Sequence, residues 1–381
     1  MRILHTADWH LGKLFYGDYL TDDQAYVLEE QLLPMIREER VEAVVLAGDV
    51  YDRSLPPTDA VELFDEIATK ITAEMGVPFF VISGNHDSAV RLSFGSRLLE
   101  KQGLYIQGEL DKMTGPVILH DAAGPVAFIG LPFIDPASAR VYFGDQTICS
   151  HEDALARLIG SQPTESGMRT VGIAHAFVAG GQACDSERPL SVGGSDVVSA
   201  SIFSSYSYTA LGHLHGPQQA GSPHIRYAGS LLKYSFGESQ QKKGALIVDI
   251  DEGGRALSSF LSFSPRHDVR IMEGFFEDFM KQDDEARDDY ILFRLLDTVP
   301  ILDGMAKLRK KYPRAAALEM PNRQSGSAGE RNFDLRKTTE AQLFESFAEA
   351  MMAGRTLSAE ERACMQALWT ELLQKEGDGL L

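Results

Sequence analysis

YTALGHLHGP, residues 208–217, decides how the rest of the chain is read. An apolar run ends in a glycine, and two histidines then flank one leucine. Residues i and i+2 of an extended segment point to the same side, so His213 and His215 can aim both imidazoles into one cleft. Read outward from this stretch, four more apolar runs carry ligand-type residues at the same end. RILHTADWH closes in Asp8 and His10, and VEAVVLAGDVYD in Asp49 and Asp52. VPFFVISGNHD closes in Asn85, His86 and Asp87, and TVGIAHAF in His175. Short runs rich in Val, Ile and Phe, bounded by Gly or a polar residue, predict buried strands. Their carboxyl ends are where open α/β architectures place their sites.

Each piece alone has an ordinary reading. A lone His10 or His175 reads as a satisfied surface or core histidine, and a GD after a strand as a plain turn. Recurrence argues otherwise. Five of the ten histidines sit in these strand ends, whereas His5, His120, His151, His224 and His267 lie in no comparable setting and take no role. Carboxylate, amide and imidazole without thiolate suit Mn²⁺, Fe or Zn²⁺ rather than an all-oxygen Ca²⁺ cage. Seven such ligands are too many for one four-coordinate ion. They suit two ions about 3.5–4 Å apart that share a carboxylate. Such a pair binds two phosphate oxygens, lowers the pKa of a bridging water and fits in-line attack on phosphorus. The spacing by itself therefore reaches a two-metal phosphoester hydrolase.

The 381 residues suffice for two domains and an appendage. With 44% apolar and 24% charged residues the chain reads as globular and soluble. No apolar stretch approaches the roughly 18 residues of a membrane helix, so no membrane partner is expected. The chain opens directly on the strand-like RILHTAD, which leaves no room for a signal peptide. Cys149, Cys184 and Cys364 lie far apart without metal-type spacing, so neither a disulfide framework nor a zinc–cysteine site is expected, and a cytoplasmic location fits. A net charge of −19 speaks against an unaided nucleic-acid binder, because phosphate contacts want Lys and Arg.

The ordered set DWHLG, GDVYDR, GNHD, AH and GHLH resembles the calcineurin-like metallophosphoesterase superfamily over roughly residues 1–250. Within it, RILHTADWHLGK, GNHDSAVRLSFGS and AGSLLKYSFGE look like the bacterial SbcD family of nuclease subunits. That family is related to the double-strand-break repair nucleases of archaea and eukaryotes. The resemblance implies an α/β fold of two packed β-sheets flanked by helices. It implies that Asp8, His10, Asp49 and His215 hold a first ion, that Asp49 bridges, and that Asn85, His175 and His213 complete the second. Mn²⁺ is the expected metal and Mg²⁺ the alternative. His86 would face the phosphate, with Asp52 orienting it. The implied activity is cleavage of DNA: exonuclease on duplex ends, endonuclease on single strands and hairpins, in repair, recombination and replication-linked hairpin processing. The implied assembly is a homodimer within a heterotetramer with a long coiled-coil ATPase of the SbcC type. That partner would use the ATP, since this chain has no GxxxxGK[ST] loop.

The nuclease domain is expected over residues 1–265. Its helices are placed at 21–40, interrupted at Pro34, at 57–75, and around 92–102, where Leu98 and Leu99 would be core. In the family, helices of this last region contribute to the dimer. Residues 266–320 read as a small α/β capping domain. It carries Lys307, Arg309, Lys310, Lys311 and Arg314, either a solvated helix face or a patch that tracks DNA phosphates. Residues 321–336 are a Gly/Ser-rich linker, and a helix pair follows over 337–381. Thr339-x-x-Gln342 and Ser358-x-x-Glu361 are capping boxes. Leu343, Phe347 and Met351, then Met365, Leu368, Trp369 and Leu372, form apolar stripes. These stripes either fold back on the chain or grip the base of the partner's coiled coil. Two rival functions stand beside the nuclease. The same centre would hydrolyse small nucleotides or phosphoproteins, or the chain would be a non-enzymatic scaffold with a vestigial metal site. The capping domain and terminal helices disfavour the first, and the full ligand set disfavours the second.

Overall fold

A computed structural model describes residues 1–112, 115–162, 164–165, 167–184, 186–187, 197–322, 357–365 and 367–368. The apolar runs form strands where the sequence puts them. Arg2–Thr6, Ala43–Leu46, Phe79–Ile82 and Leu104–Gln107 pair in parallel, and Gly244–Ile250 and Ala256–Ser262 extend that sheet antiparallel beyond Arg2–Thr6. A second sheet has Gly124–Leu131, Arg169–His175, Tyr208–Gly212 and Ser222–Tyr227 in parallel at its centre. Val117–Asp121 and Gln218–Ala220 edge it antiparallel. Ala43–Leu46, Phe79–Ile82 and Tyr208–Gly212 are buried at every position, which is why they read as unbroken apolar runs and not as alternation.

Alternate side chains of each strand divide between its two faces. Ile3, Val45, Phe80 and Ile82 of the first sheet meet Val126, Phe128, Val171, Ile173 and Ala210 of the second. Phe80 stacks on Phe128 with ring centroids 4.3 Å apart. On the far face of the first sheet, Phe79 packs with Trp9 and with Phe64 of the helix Thr58–Thr69. Beyond the second sheet, Leu155 and Leu158 of the helix His151–Gly160 close over Leu131, Leu211 and Tyr227. This is the expected pair of packed sheets flanked by helices.

Two local expectations fail. The helix over residues 21–40 is not interrupted at Pro34. Thr21–Val27, a π-helical segment Leu28–Leu32, and Leu33–Glu38 follow one another directly. Proline lacks an N–H and crowds the carbonyl four residues back, and the wider π turn ahead of it accommodates both. Leu98 and Leu99 are not core. Leu98 is 74% exposed and Leu99 36%, and nearby Phe94 and Val90 are 87% and 65% exposed. The segment breaks into Ala89–Leu92 and Ser96–Leu99 around Gly95, whose φ is +73°. Helical apolar spacing looks the same whether the stripe faces a core or the outside.

The chain divides into two compact units, Met1–Ile271 with Ala286–Ile291, and Met272–Glu285 with Leu292–Leu381. The second unit carries the helices Phe276–Lys281 and Gly304–Lys311 and most of a three-stranded sheet in the order Val269–Gly274, Tyr290–Leu295, Ala315–Glu319. Phe279, Phe293 and Tyr312 stack edge to face in its core. Beyond residue 322, most of the expected linker and the first terminal helix lie outside the described residues. In the second terminal helix the capping box forms: Ser358 N–H donates to Glu361 Oε2 at 2.8 Å, and Glu361 N–H to Ser358 Oγ at 3.2 Å. Among the described residues no helix is long and apolar enough to cross a membrane.

Gly212 ends the strand Tyr208–Gly212, and a Cβ there would lie 1.9 Å from the carbonyl oxygen of Ala47, just past a strand of the other sheet. Gly212→Ala must push the two strand ends apart, and we expect it to cost about 1–3 kcal/mol. A urea or thermal unfolding midpoint equal to that of the parent would show that the ends have slack.

Candidate metal centre

The loops after Arg2–Thr6 and Ala43–Leu46 meet through their backbones. Asp8 N–H donates to Gly48 O at 3.1 Å, His10 N–H to Asp49 O at 3.0 Å, and Leu11 N–H to Val50 O at 2.9 Å. Among the described residues seven non-glycine residues have positive φ, and four of them are expected ligands: Asp8 (50°), His10 (45°), Asp49 (48°) and His213 (104°). Backbone in this region costs of order 1–3 kcal/mol per residue and persists only where its surroundings over-determine it. Gly84, ahead of Asn85, clears space in the same way as Gly212. A Cβ on it would lie 2.1 Å from Asp49 Oδ1.

Asp49 stands at the middle. Its Oδ2 is 3.4 Å from His175 Nε2, 3.6 Å from His10 Nε2 and 4.0 Å from His86 Nε2. Its Oδ1 accepts from the His86 N–H at 2.9 Å. Asp8 accepts the His213 N–H on both oxygens, at 2.9 and 3.1 Å. His10 Nε2 faces His215 Nε2 at 3.1 Å. Asn85 Oδ1 is 2.8 Å from His175 Nε2 and 3.4 Å from His213 Nδ1. The five strand-end motifs are thus brought to one place. Three overlapping groups each offer ligand atoms within 4.8 Å of one another: Asp8, His10 and His215; His10, Asp49 and His86; Asp8, Asp49 and His175.

The electrostatics call for a cation. Asp8 and Asp49 are buried, and among the described residues their ion pairs are with imidazoles, with no Lys or Arg. Burial lifts the Asp8 carboxyl to about 7 and drives His213 down to about 3. At Asp49 burial pushes the same way, but His175, His10 and His86 hold it well below the usual carboxylate range. The imidazoles are turned to serve such an ion. His86 Nδ1 donates to Asp52 O at 2.8 Å and His175 Nδ1 to Ala47 O at 3.0 Å. A carbonyl only accepts, so each Nδ1 carries a proton and each Nε2 turns toward Asp49; with Asp49 and the Asn85 amide oxygen both facing it, the His175 Nε2 is protonated as well, Asp49 overcoming burial to raise that ring to about 9, and an ion at Asp49 would stand in place of the Nε2 proton. Metal-ligating histidines are oriented in this way. Carboxylates, an amide oxygen and imidazoles together fit divalent ions of the Mn²⁺ class.

The expected task of Asp52 is corrected. The contact to His86 comes from the Asp52 main-chain carbonyl, while its carboxylate takes Lys13 Nζ at 2.8 Å and lies 3.7 Å from His10 Nδ1. A three-residue spacing sets proximity but not which end of the residue faces the ring. Two residues given no task hold the loops together. Asp87 accepts from the N–H groups of Val50 (3.1 Å), Tyr51 (2.9 Å) and Gly84 (2.9 Å), tying the Asp49 loop to the Asn85 loop. Its signal was its place inside GNHD. Gln24 Nε2 donates to the carbonyls of Trp9 (2.9 Å) and His10 (2.8 Å), and its Oε1 accepts from Gly12 N–H at 3.1 Å. Nothing in the sequence separates this buried amide from a surface glutamine.

In the second unit the basic stretch is partly committed. Arg309 Nε donates to Ala315 O at 3.1 Å. Lys311 Nζ donates to the carbonyls of Phe279 (2.9 Å) and Met280 (3.1 Å), which caps the end of the helix Phe276–Lys281. Lys307 and Lys310 are exposed, and Arg314 is half-buried. Of the expected partner-binding stripe, Met365 is half-buried and Leu368 exposed. Leu343, Phe347, Met351, Trp369 and Leu372 lie outside the described residues.

Two sequence families match. Calcineurin-like phosphoesterase covers residues 1–152, and the type 5 capsule protein repressor C-terminal domain, SbcD_C, covers residues 265–352. The SbcD subunit of the nuclease SbcCD from Staphylococcus saprophyticus is 32% identical over 380 residues, 98% of this chain and 99% of that protein. Its counterpart from Staphylococcus epidermidis is 35% identical over 322 residues, 84% of this chain and 85% of that protein. A solved structure, TT1561 of Thermus thermophilus, is matched over 68% of this chain and 98% of that chain at 13% identity and a TM-score of 0.38. Near-complete coverage by curated relatives above 30% identity, over a buried centre of carboxylates and imidazoles, places the chain in the SbcD family, as a metal-dependent hydrolase with a calcineurin-like phosphoesterase domain.

Proposed function

We propose that this chain is the nuclease subunit of a DNA-processing complex and hydrolyses DNA phosphodiesters at the buried centre. The observation that carries this reading is the sharing of Asp49 and Asp8 among overlapping ligand groups, which suits two neighbouring ions. Asp8, His10, Asp49 and His215 would hold one ion, and Asn85, His175 and His213 with Asp49 the other. Mn²⁺ suits this donor set, with Mg²⁺ as the alternative. When bound, such a pair supplies Lewis acidity and a water nucleophile at neutral pH. The chain itself supplies the proton and the aim. His86, fixed through Nδ1 by the Asp52 carbonyl, presents Nε2 to the centre. With Nε2 protonated, it donates to a phosphate oxygen or to the leaving oxygen.

The wider reading follows the family. Exonuclease action on duplex ends and endonuclease action on single strands and hairpins would serve repair, recombination and replication-linked hairpin processing in the cytoplasm. The relatives are named as subunits of SbcCD, which supports a second component. We assign it as an SbcC-type coiled-coil ATPase that uses the ATP and is gripped by the terminal apolar stripes. Exposed Phe94 and Leu98 support a second copy of this chain as the cover for the short helices at Ala89–Leu92 and Ser96–Leu99.

With Mn²⁺, end-labelled duplex and hairpin DNA should be cut by the parent. Asp49→Ala should cut neither and should bind fewer than two ions per chain by metal analysis. Turnover of a small phosphodiester without any DNA cleavage would move the assignment to a nucleotide hydrolase. His86→Gln should keep both ions and its DNA affinity while losing about 10²–10⁴-fold in rate, the usual size of a general-acid contribution. Loss of an ion in that variant would make His86 a ligand instead.

A further inference from the structure

The stretch AGSLLKYSFGE, residues 228–238, carried the family resemblance without receiving any task. Its last residue, Glu238, is fully buried. Oε1 accepts from Ser186 Oγ at 2.5 Å, Tyr234 N–H at 3.2 Å and Ser235 Oγ at 3.2 Å, and Oε2 accepts from Lys243 Nζ at 2.5 Å. Lys243 is buried as well, and donates also to His215 O at 2.8 Å and Gln241 Oε1 at 2.7 Å. Ion pairs this deep are hard to justify by stability alone, because desolvation offsets their attraction. This one reaches a residue with chemistry. His215 Nδ1 lies 2.9 Å from Ser186 Oγ and 3.4 Å from Glu238 Oε1.

Counting protons fixes the ring. An ionised carboxylate only accepts, so the single Ser186 hydroxyl proton goes to Glu238. Ser186 Oγ is then free only to accept, and it accepts from His215 Nδ1–H. The Nε2 lone pair is left bare where it meets His10 Nε2 at 3.1 Å and joins the Asp8 group. Glu187 Oε1 fixes the backbone below by accepting the His215 N–H at 2.7 Å. His86 and His175 are set by main-chain carbonyls, whereas His215 is set by a charged chain of side groups.

We propose that Lys243, Glu238 and Ser186 form a positioning relay for His215, holding its proton on Nδ1 and its Nε2 in line for an ion. The relay rests on the reading of this centre as a divalent-metal site. Outer partners of metal-ligating histidines raise ligand basicity, and their removal typically costs about 10–100-fold in metal affinity.

The test is calorimetric titration of Mn²⁺ into the metal-free full chain, with long-range ¹H–¹⁵N NMR reporting the His215 tautomer. The parent should show the Nδ1–H form. Ser186→Ala and Glu238→Gln should each weaken one ion by about 10–100-fold and leave the other at parental affinity. Metal-free Ser186→Ala should keep the parent's circular dichroism spectrum at the titration temperature, and Ser186→Thr, which keeps the hydroxyl, should restore affinity. Because the groups act in series, the double variant should bind no worse than the weaker single one. If Glu238→Gln alone does not fold, since it strands the Lys243 charge, Glu238→Gln with Lys243→Met removes both charges and should show the same selective loss. Parental affinity for both ions in Ser186→Ala, or a parent ring protonated on Nε2, overturns the relay. A parent that binds no Mn²⁺ overturns the metal-centre reading itself and takes the relay with it.

Discussion

Two carboxylates, Asp8 and Asp49, are buried together with imidazoles as their ion partners among the described residues, and the architecture of the nuclease domain follows from that. Negative charge without water needs positive charge nearby, or the groups neutralise. A divalent pair meets the need only if neutral imidazoles turn the correct nitrogen inward. The Nδ1 proton of His175 goes to a carbonyl for that reason, and that of His215 goes to Ser186. The strained backbone at Asp8, His10, Asp49 and His213 aims the ligands, and Gly84 and Gly212 let the loops close on Asp49 and Ala47. Asp87 and Gln24 supply the hydrogen bonds that hold these loops against that strain.

The overall charge of −19 is consistent with this picture but awkward for a nuclease. In the basic stretch of the second unit Lys307, Arg309 and Lys310 are exposed, while Arg309 and Lys311 also bond carbonyls of their own unit. Two divalent ions bring four positive charges to the place where a phosphate must sit. On the proposed reading, the remaining attraction for DNA comes from the partner ATPase and from the second copy. Strong dependence of DNA affinity on assembly is the natural consequence.

Much of this was legible in the sequence, for identifiable reasons. Buried parallel strands are apolar throughout, so the runs ending at Leu46, Ile82 and Gly212 stand out from their surroundings. Ligands at strand ends lie a fixed short distance past those runs, so Asp49, Asn85 and His213 are found with them. What was not legible depends on tertiary contact. Apolar helical spacing cannot tell an inner from an outer face, which misplaced Leu98. A proline cannot announce the π turn that absorbs it, which misread the helix at Pro34. Spacing cannot choose between a side chain and a main-chain carbonyl, which misassigned the Asp52 carboxylate. Glu238 and Ser186 lie far apart in the chain, and only the fold brings them to one histidine.

Electron paramagnetic resonance of the Mn²⁺-loaded protein tests the central claim most directly. Two ions sharing Asp49 at about 3.5–4 Å should be exchange-coupled, giving a broad multiline spectrum at two Mn²⁺ per chain. Two magnetically isolated ions, or saturation at one Mn²⁺ per chain, would contradict a shared carboxylate at the heart of the site.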